Sequence, residues 1–180
     1  MSASTLHRYA NPPDEEDGAM NTTTEDKPLL LTNIHELVGR TIAVTDWVDI
    51  DQIQVNVFGE VSRWHKPGHC DPEHGRKGPY GGTLIHGFHM VSLLSHFVEN
   101  AGLRPRDGAY SLNYGLDKVR VLQPVVIGDG VRIRSNVTLA NVTEKTNGQR
   151  LIKTAHELEA QGVDGPVMYA EYLSYWYPRP

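Results

Sequence analysis

A single cysteine, Cys70, stands in 180 residues, which excludes an intramolecular disulfide and the cross-linked framework of small secreted domains. Long apolar runs are also missing, so no stretch approaches the ~20 residues of a membrane-spanning helix. Basic clusters are absent: 17 Lys and Arg face 22 Asp and Glu for a formal charge of -5, whereas nucleic acid needs a concentrated positive surface. No internal repeat is detectable. The opening, Met1 to Lys27, has neither the apolar core of a signal peptide nor enough large apolar residues to pack. From these absences we expect a cytoplasmic protein without nucleic-acid or membrane partners, and residues 1–27 as a disordered acidic tail.

What remains is 39% hydrophobic and 22% charged over the whole chain, enough for one globular domain over 28–180. Its organising stretch is Gly81-Gly82-Thr83-Leu84-Ile85-His86-Gly87 running on to Ala101-Gly102. The pattern predicts a glycine-rich loop opening into one long helix of about 18 residues, with Thr83 as N-cap and Gly102 as the left-handed closing residue. Helical spacing assigns His89, Ser92, His96 and Glu99 to a polar stripe. Leu84, Phe88, Val91, Ser95 and Val98 fall on an apolar one, which makes Ser95 a hydroxyl on the buried side.

Upstream, Thr41 to Trp47 alternates like a short strand. Ile50, Ile53, Val57, Phe58 and Val61 return at helical spacing, with Asp49 or Asp51 as cap. Ser62 to Tyr80 holds no period and reads as a long irregular loop carrying Trp64, His65, Lys66, His69, Cys70, Asp71, Glu73 and His74. Downstream, Tyr110 to Leu122, Val131 to Val142, Leu151 to Ala160 and Val167 to Tyr177 read as strands. Asn147-Gly148 and Asp164-Gly165 mark hairpins between the later ones. Consecutive hairpins make an antiparallel sheet, and one helix against such a sheet makes an α+β domain.

The loop's side chains suggest chemistry in three ways. His65, His69 and His74 beside Cys70, Asp71 and Glu73 are chemically suited to zinc, but their spacings match no metal motif and no metal is expected. Cys70 or Ser95 with a nearby histidine could form a nucleophilic pair, for which chain proximity is weak support. Acid/base work by a loop histidine is the most economical, because imidazole titrates near neutral pH and needs only a carbonyl held by amide donors.

Three separated motifs occur in an order that resembles the MaoC-like, (R)-specific enoyl-CoA hydratases. Ser62-Arg63-Trp64-His65-Lys66-Pro67-Gly68-His69-Cys70-Asp71-Pro72 is similar to that family's Ser-Gly-Asp-x-Asn-Pro-x-His-x-Asp-Pro. Gly81-Gly82-Thr83-Leu84-Ile85-His86-Gly87 resembles its Gly-Gly-x-x-x-His-Gly, and Leu112 to Arg120 resembles a strand of its nodN-like branch. The resemblance covers about Ile34 to the C-terminus.

It implies a single hot-dog domain, an antiparallel sheet wrapped around one long central helix, with two subunits joining their sheets as a homodimer. It implies a hydro-lyase acting on an enoyl or 3-hydroxyacyl thioester, with CoA or phosphopantetheine as part of the substrate and no separate cofactor. In the catalytic positions stand His69 as acid/base, Gly87 as the amide that holds the thioester oxygen, and Ser95 lining the site; Trp64, His65 and His86 stand at substrate-binding positions. Trp64 occupies the place of the family's catalytic Asp and Lys66 that of its Asn, so the activity is expected to be altered. His65, Asp71 and Glu60 are the alternative second groups. Two other readings stay open: a dry-site dehydratase, isomerase or cyclase of a biosynthetic, polyketide-like pathway, and a non-catalytic acyl-binding module. Lys118 and Arg120 are read as solvated, with contact to a CoA phosphate as the alternative.

Overall fold

A computed structural model describes residues 29–180; the expected tail over 1–27 lies outside the described residues. A one-turn helix at Ile34–Leu37 leads into β1 (Thr41–Val44) and β2 (Val48–Ile50), then α1 (Gln52–Val61), α2 (Pro67–Cys70) and α3 (Pro72–Lys77). The glycine loop follows, with α4 (Gly87–Ser92) and α5 (Leu94–Asn100), and the chain ends in four long strands: β3 (Gly108–Val121), β4 (Val131–Glu144), β5 (Arg150–Ala160) and β6 (Pro166–Pro178).

The strands form one antiparallel sheet in the order β1-β4-β5-β6-β3, with β2 also paired to β4. The β4–β5 hairpin turns at Asn147 and Gly148, both left-handed at φ 57 and 74, as a tight Asn-Gly turn demands. Period-2 burial follows from the pleat: Ile133, Val137 and Leu139 of β4 and Ile152, Leu158 and Ala160 of β5 face inward. This sheet covers the helices, with Met90, Leu94, Phe97 and Val98 packed into the larger core cluster beside Ile133, Leu158, Met168 and Ala170. A smaller cluster around Leu31, Ile34, Leu139, Ile152 and Trp176 closes the other end. Between them in register lie Ser135, Thr154 and His156, three buried polar residues. The architecture is the hot-dog arrangement of a sheet wrapped on a central helical segment.

Four local expectations are corrected. The helix does not start at a Thr83 cap. The main chain from Thr83 to Ile85 pairs with the 125–127 segment instead, Ile85 N donating to Val125 O at 3.0 Å and Ile127 N to Thr83 O at 2.8 Å, and α4 begins at Gly87 with His86 as its N-cap. Nor is the helix continuous: it breaks at Leu93, where Ser92 Oγ donates back to His89 O at 2.7 Å, a side-chain bond that competes with the helical ladder. Its core face is Met90, Leu94, Phe97, Val98 and Ala101. Phe88 is 79% exposed, Ser95 is exposed and His89 is buried, so the apolar stripe chosen from the sequence meets the core only in part, through Val98 and Val91. Periodicity finds apolar faces, but it does not say which of two meets the chain's own sheet. Ser62 to Tyr80, expected to be irregular, holds the short helices α2 and α3.

Candidate active site

The site is assembled where α1, α2 and the start of α4 converge. Asp51 caps α1 in a reciprocal box, accepting from Gln54 N while Gln54 Oε1 accepts from Asp51 N, both at 2.8 Å, and this fixes where the helix begins. The other end closes on a left-handed Arg63 at φ 57, with Arg63 N donating to Glu60 O and Trp64 N to Gly59 O. A non-glycine residue rarely adopts that conformation. It reverses the chain so that the motif residues return along α1.

His69 lies at the end of α2. Its main-chain carbonyl accepts from Gln52 Nε2 at 2.8 Å, and Gln52 Oε1 in turn accepts from the buried Thr83 hydroxyl. Leu84 N donates to Gly68 O at 3.0 Å. The glycine loop is thereby tied to the histidine helix through both side chain and main chain. The ring of His69 is fixed as well, its Nδ1 at 2.8 Å from Leu84 O. A carbonyl only accepts, so Nδ1 carries the hydrogen and Nε2 of the neutral ring keeps a free lone pair.

His86 stacks on His69 with ring centroids 4.1 Å apart and 23° between planes. Its Nε2 lies 3.2 Å from Trp64 O, and the same reasoning places the hydrogen on Nε2. Phe58 of α1 completes the wall, tilted against His86 at 5.2 Å and parallel to His89 at 4.8 Å and 4°. His86 and His89 are 3% and 8% exposed, and the Nδ1 atom of each is buried without a hydrogen-bond partner. Burial pushes the pKa of both down, reinforced for His86 by His69 and for His89 by His86, so both rings are held neutral.

Gly87 opens α4, and a Cβ there would meet Val121 Cγ2 at 2.9 Å, so the helix start lies hard against the end of β3. At Gly75 of α3 a Cβ would lie 2.6 Å from Thr83 N and 2.8 Å from Gly82 C; only hydrogen fits between α3 and the loop. Burial raises the pKa of Cys70 above its ordinary value, which disfavours a thiolate nucleophile.

The structure brings His69, His86 and the Gly87 helix start together and puts Trp64 beside them through its main chain. The indole of Trp64 points outward, 56% exposed, with Lys66 Nζ 4.7 Å from its ring centroid. His65 faces Glu60, Nε2 to Oε1 at 3.4 Å, in an exposed pair. Asp71 is engaged as the cap of α3, accepting from Glu73 N and His74 N; those bonds, that from His74 first, hold its carboxyl below the usual range. Ser95 is exposed on α5 rather than on the inner wall. Lys118, read as solvated, is exposed and also donates to the buried Glu171 at 2.6 Å, and Lys153 Nζ lies 3.0 Å from that carboxylate's other oxygen. These two bonds, that from Lys118 first, hold the carboxyl of Glu171 down to about 2.

The sequence reading missed Gln52, Phe58 and His89 as parts of the site. Each has a helical or stripe assignment that accounts for it, and the two carbonyls that fix the histidine rings have no sequence signal at all. Among the described residues, no three His, Cys, Asp or Glu side chains gather as a metal-holding group.

Residues 33–161 match the MaoC-like domain. The chain belongs to the MaoC-like dehydratase family. Over 135 residues, 75% of this chain and 87% of the relative, it is 33% identical to 3-hydroxyacyl-thioester dehydratase Z of Mycobacterium tuberculosis. It is 29% identical to nodulation protein N of Rhizobium leguminosarum bv. viciae over 149 residues, 81% of this chain and 90% of that protein. Solved structures share the fold. A monoamine oxidase regulatory protein from Archaeoglobus superposes with a TM-score of 0.63 at 17% identity, covering 85% of this chain and 97% of that one. An (R)-hydratase from Pseudomonas aeruginosa gives 0.58 at 17% identity, covering 77% and 83%. This MaoC-like chain carries the stacked His69–His86 pair and an outward-facing Trp64 beside it.

Proposed function

We propose that the protein is a hydro-lyase that interconverts an enoyl thioester and a 3-hydroxyacyl thioester, carried on CoA or on the phosphopantetheine of a carrier protein, and that it needs no other cofactor. His69 is the acid/base, and the Gly87 amide receives the thioester oxygen. The observation that carries this is the ring of His69, whose Nδ1 is committed to Leu84 O. That bond leaves Nε2 as an oriented base in a chain of this family, and the name of the mycobacterial relative supports the substrate class.

In hydration, the water oxygen forms the bond to C3 and gives a proton to His69 Nε2. The π electron pair moves to C2, in conjugation with the thioester carbonyl, and the imidazolium returns the proton at C2. Water is thus added across the double bond and the enzyme is regenerated; dehydration is the reverse. Charge accumulating on the thioester oxygen is met by the Gly87 amide, at a helix start where main-chain hydrogens are unpaired.

The dry-site reading needs an indole that closes the site. Trp64 is turned outward under Lys66, which favours the water-using reaction. Ser95 is assigned no role in this mechanism.

A homodimer belongs to the same proposal. β3 ends the strand order, so its outer edge carries unpaired main-chain groups among the described residues. Tyr110, Leu112, Tyr114, Leu116 and Val121 along it are exposed. A long apolar edge of that kind is normally covered.

The test is turnover of a short trans-2-enoyl-CoA, followed by loss of the conjugated enoyl absorbance, with a carrier-protein thioester as second substrate. His69→Ala should lower kcat by about 10²–10⁴-fold. Unchanged turnover in that variant refutes the acid/base assignment. A parent inactive on both thioesters, with hydration appearing only in Trp64→Asp, returns the isomerase or cyclase reading.

A further inference from the structure

His69 can serve as a base only while its ring keeps one orientation and one tautomer, and both are set by the 2.8 Å bond between Nδ1 and Leu84 O. The two ends of that bond lie on separate elements. His69 belongs to α2 and Leu84 to the glycine loop, 15 residues further on, so the bond holds only if the two elements keep a constant separation. One connection between them is main chain to main chain, Leu84 N to Gly68 O at 3.0 Å. Another is a single side chain, Gln52 of α1.

Gln52 reaches both elements at once. Its Nε2 donates to His69 O at 2.8 Å and to Asn56 Oδ1 at 2.7 Å, while its Oε1 accepts from the hydroxyl of Thr83, the residue before Leu84. The amide fits only one way round. A main-chain carbonyl accepts and never donates, so the nitrogen faces His69 and the oxygen is left for Thr83. The anchors on either side are themselves fixed: Thr83 is 3% exposed, and Gln52 directly follows Asp51, whose reciprocal cap sets the start of α1.

We propose that Gln52 is the positioning residue of the His69 base, a clamp that holds both the residue bearing the ring and the residue next to the carbonyl that takes its Nδ1 hydrogen. The inference rests on the hydro-lyase reading above. Gln52 touches no substrate and moves no proton; it acts through distance. Without it the bond between Gly68 and Leu84 still docks the loop, but the ring-to-carbonyl distance is free to lengthen and the ring hydrogen can exchange between Nδ1 and Nε2. A misplacement of about 1 Å is enough to cost about 10²-fold in rate.

Two substitutions open the clamp from opposite ends. Gln52→Leu removes the amide, and Thr83→Val removes the hydroxyl while keeping the side chain's shape, with Thr83→Ser as the conservative variant that retains the hydroxyl. Each is assayed in hydration of a short trans-2-enoyl-CoA. The His69 tautomer is read in parallel from long-range proton–nitrogen NMR spectra at neutral pH, with its signals assigned by their loss in His69→Ala. For both Gln52→Leu and Thr83→Val we expect kcat to fall about 10–10²-fold with KM little changed, and the ring to shift from the Nδ1-protonated form to a mixture. The double variant should be no worse than Gln52→Leu alone, because both changes open one clamp, and Thr83→Ser should stay near the parent in both readouts. If Gln52→Leu and Thr83→Val keep the parent's kcat, or lower it with the His69 tautomer unchanged, Gln52 only supports the fold, and the inference fails while the hydro-lyase reading stands. A parent that turns over neither a CoA nor a carrier-protein thioester overturns that reading, and the tautomer of His69 in Gln52→Leu still decides whether Gln52 orients the ring.

Discussion

His156 tests how the sheet tolerates a polar residue at its centre. It is fully buried, and both ring nitrogens are occupied by hydroxyls, Nδ1 with Ser135 Oγ at 3.0 Å and Nε2 with Thr154 Oγ1 at 2.9 Å. Hydroxyls can accept from either nitrogen, so hydrogen bonding does not forbid a second proton. Burial does, and it holds the pKa at about 4 against an ordinary 6.5. The sign follows directly. Above pH 6.5 the ring is neutral in both folded and unfolded chains and the linkage contributes nothing. As the pH falls below 6.5 the unfolded chain takes up a proton that the native chain refuses, so stability declines until the native ring also titrates near pH 4. The integrated loss is about 3 kcal/mol, a large part of the 5–15 kcal/mol typical of a domain. The assay is urea unfolding from pH 7.5 to 4 on the parent and on His156→Gln, which cannot take up the proton. His86 and His89 titrate with the same sign in both proteins and cancel in the difference. The parent should lose about 3 kcal/mol more than the variant across that range. Parallel stability curves, or a His156 ring resonance titrating near 6.5, would refute the reasoning.

Gly75→Ala inserts a methyl group within 3 Å of the main chain of Gly82 and Thr83; we expect a loss of about 1–3 kcal/mol by thermal melting. Because the displaced loop carries Leu84 O, kcat should fall as well. Phe97→Ala, at a fully buried position of the central helical segment, should cost about 3–5 kcal/mol in denaturant titration. Light scattering should give twice the 20.1 kDa chain mass if β3 pairs two copies, and a monomer would remove the homodimer from the proposal.

The sheet was legible because its signals are local. Asn147-Gly148 could only turn one way, and alternating apolar residues on both sides fixed which face met the core. The helical segment was less legible because Thr83 had two competing uses. As a residue type it suits an N-cap, yet the main chain around it pairs with Val125 and Ile127 and its hydroxyl goes to Gln52, partners far away in sequence. The apolar stripe failed at Phe88 and Ser95 for a similar reason: α4 and α5 carry two apolar faces, and the choice between them was made by the sheet.

In the candidate site, the motif spacing singled out His69, His86 and Gly87, which lie together in the fold, but at position 64 it could report only a side chain. The fold shows a different contribution from that position. Trp64 reaches the site through a carbonyl, an atom that every residue carries and that no sequence pattern marks. The bond of His86 to the carbonyl of position 64 and that of His69 to Leu84 O do not depend on the side chain at position 64. Changing Trp64 to another large side chain should therefore disturb turnover far less than changing either histidine, which separates what the motif names from what the geometry uses.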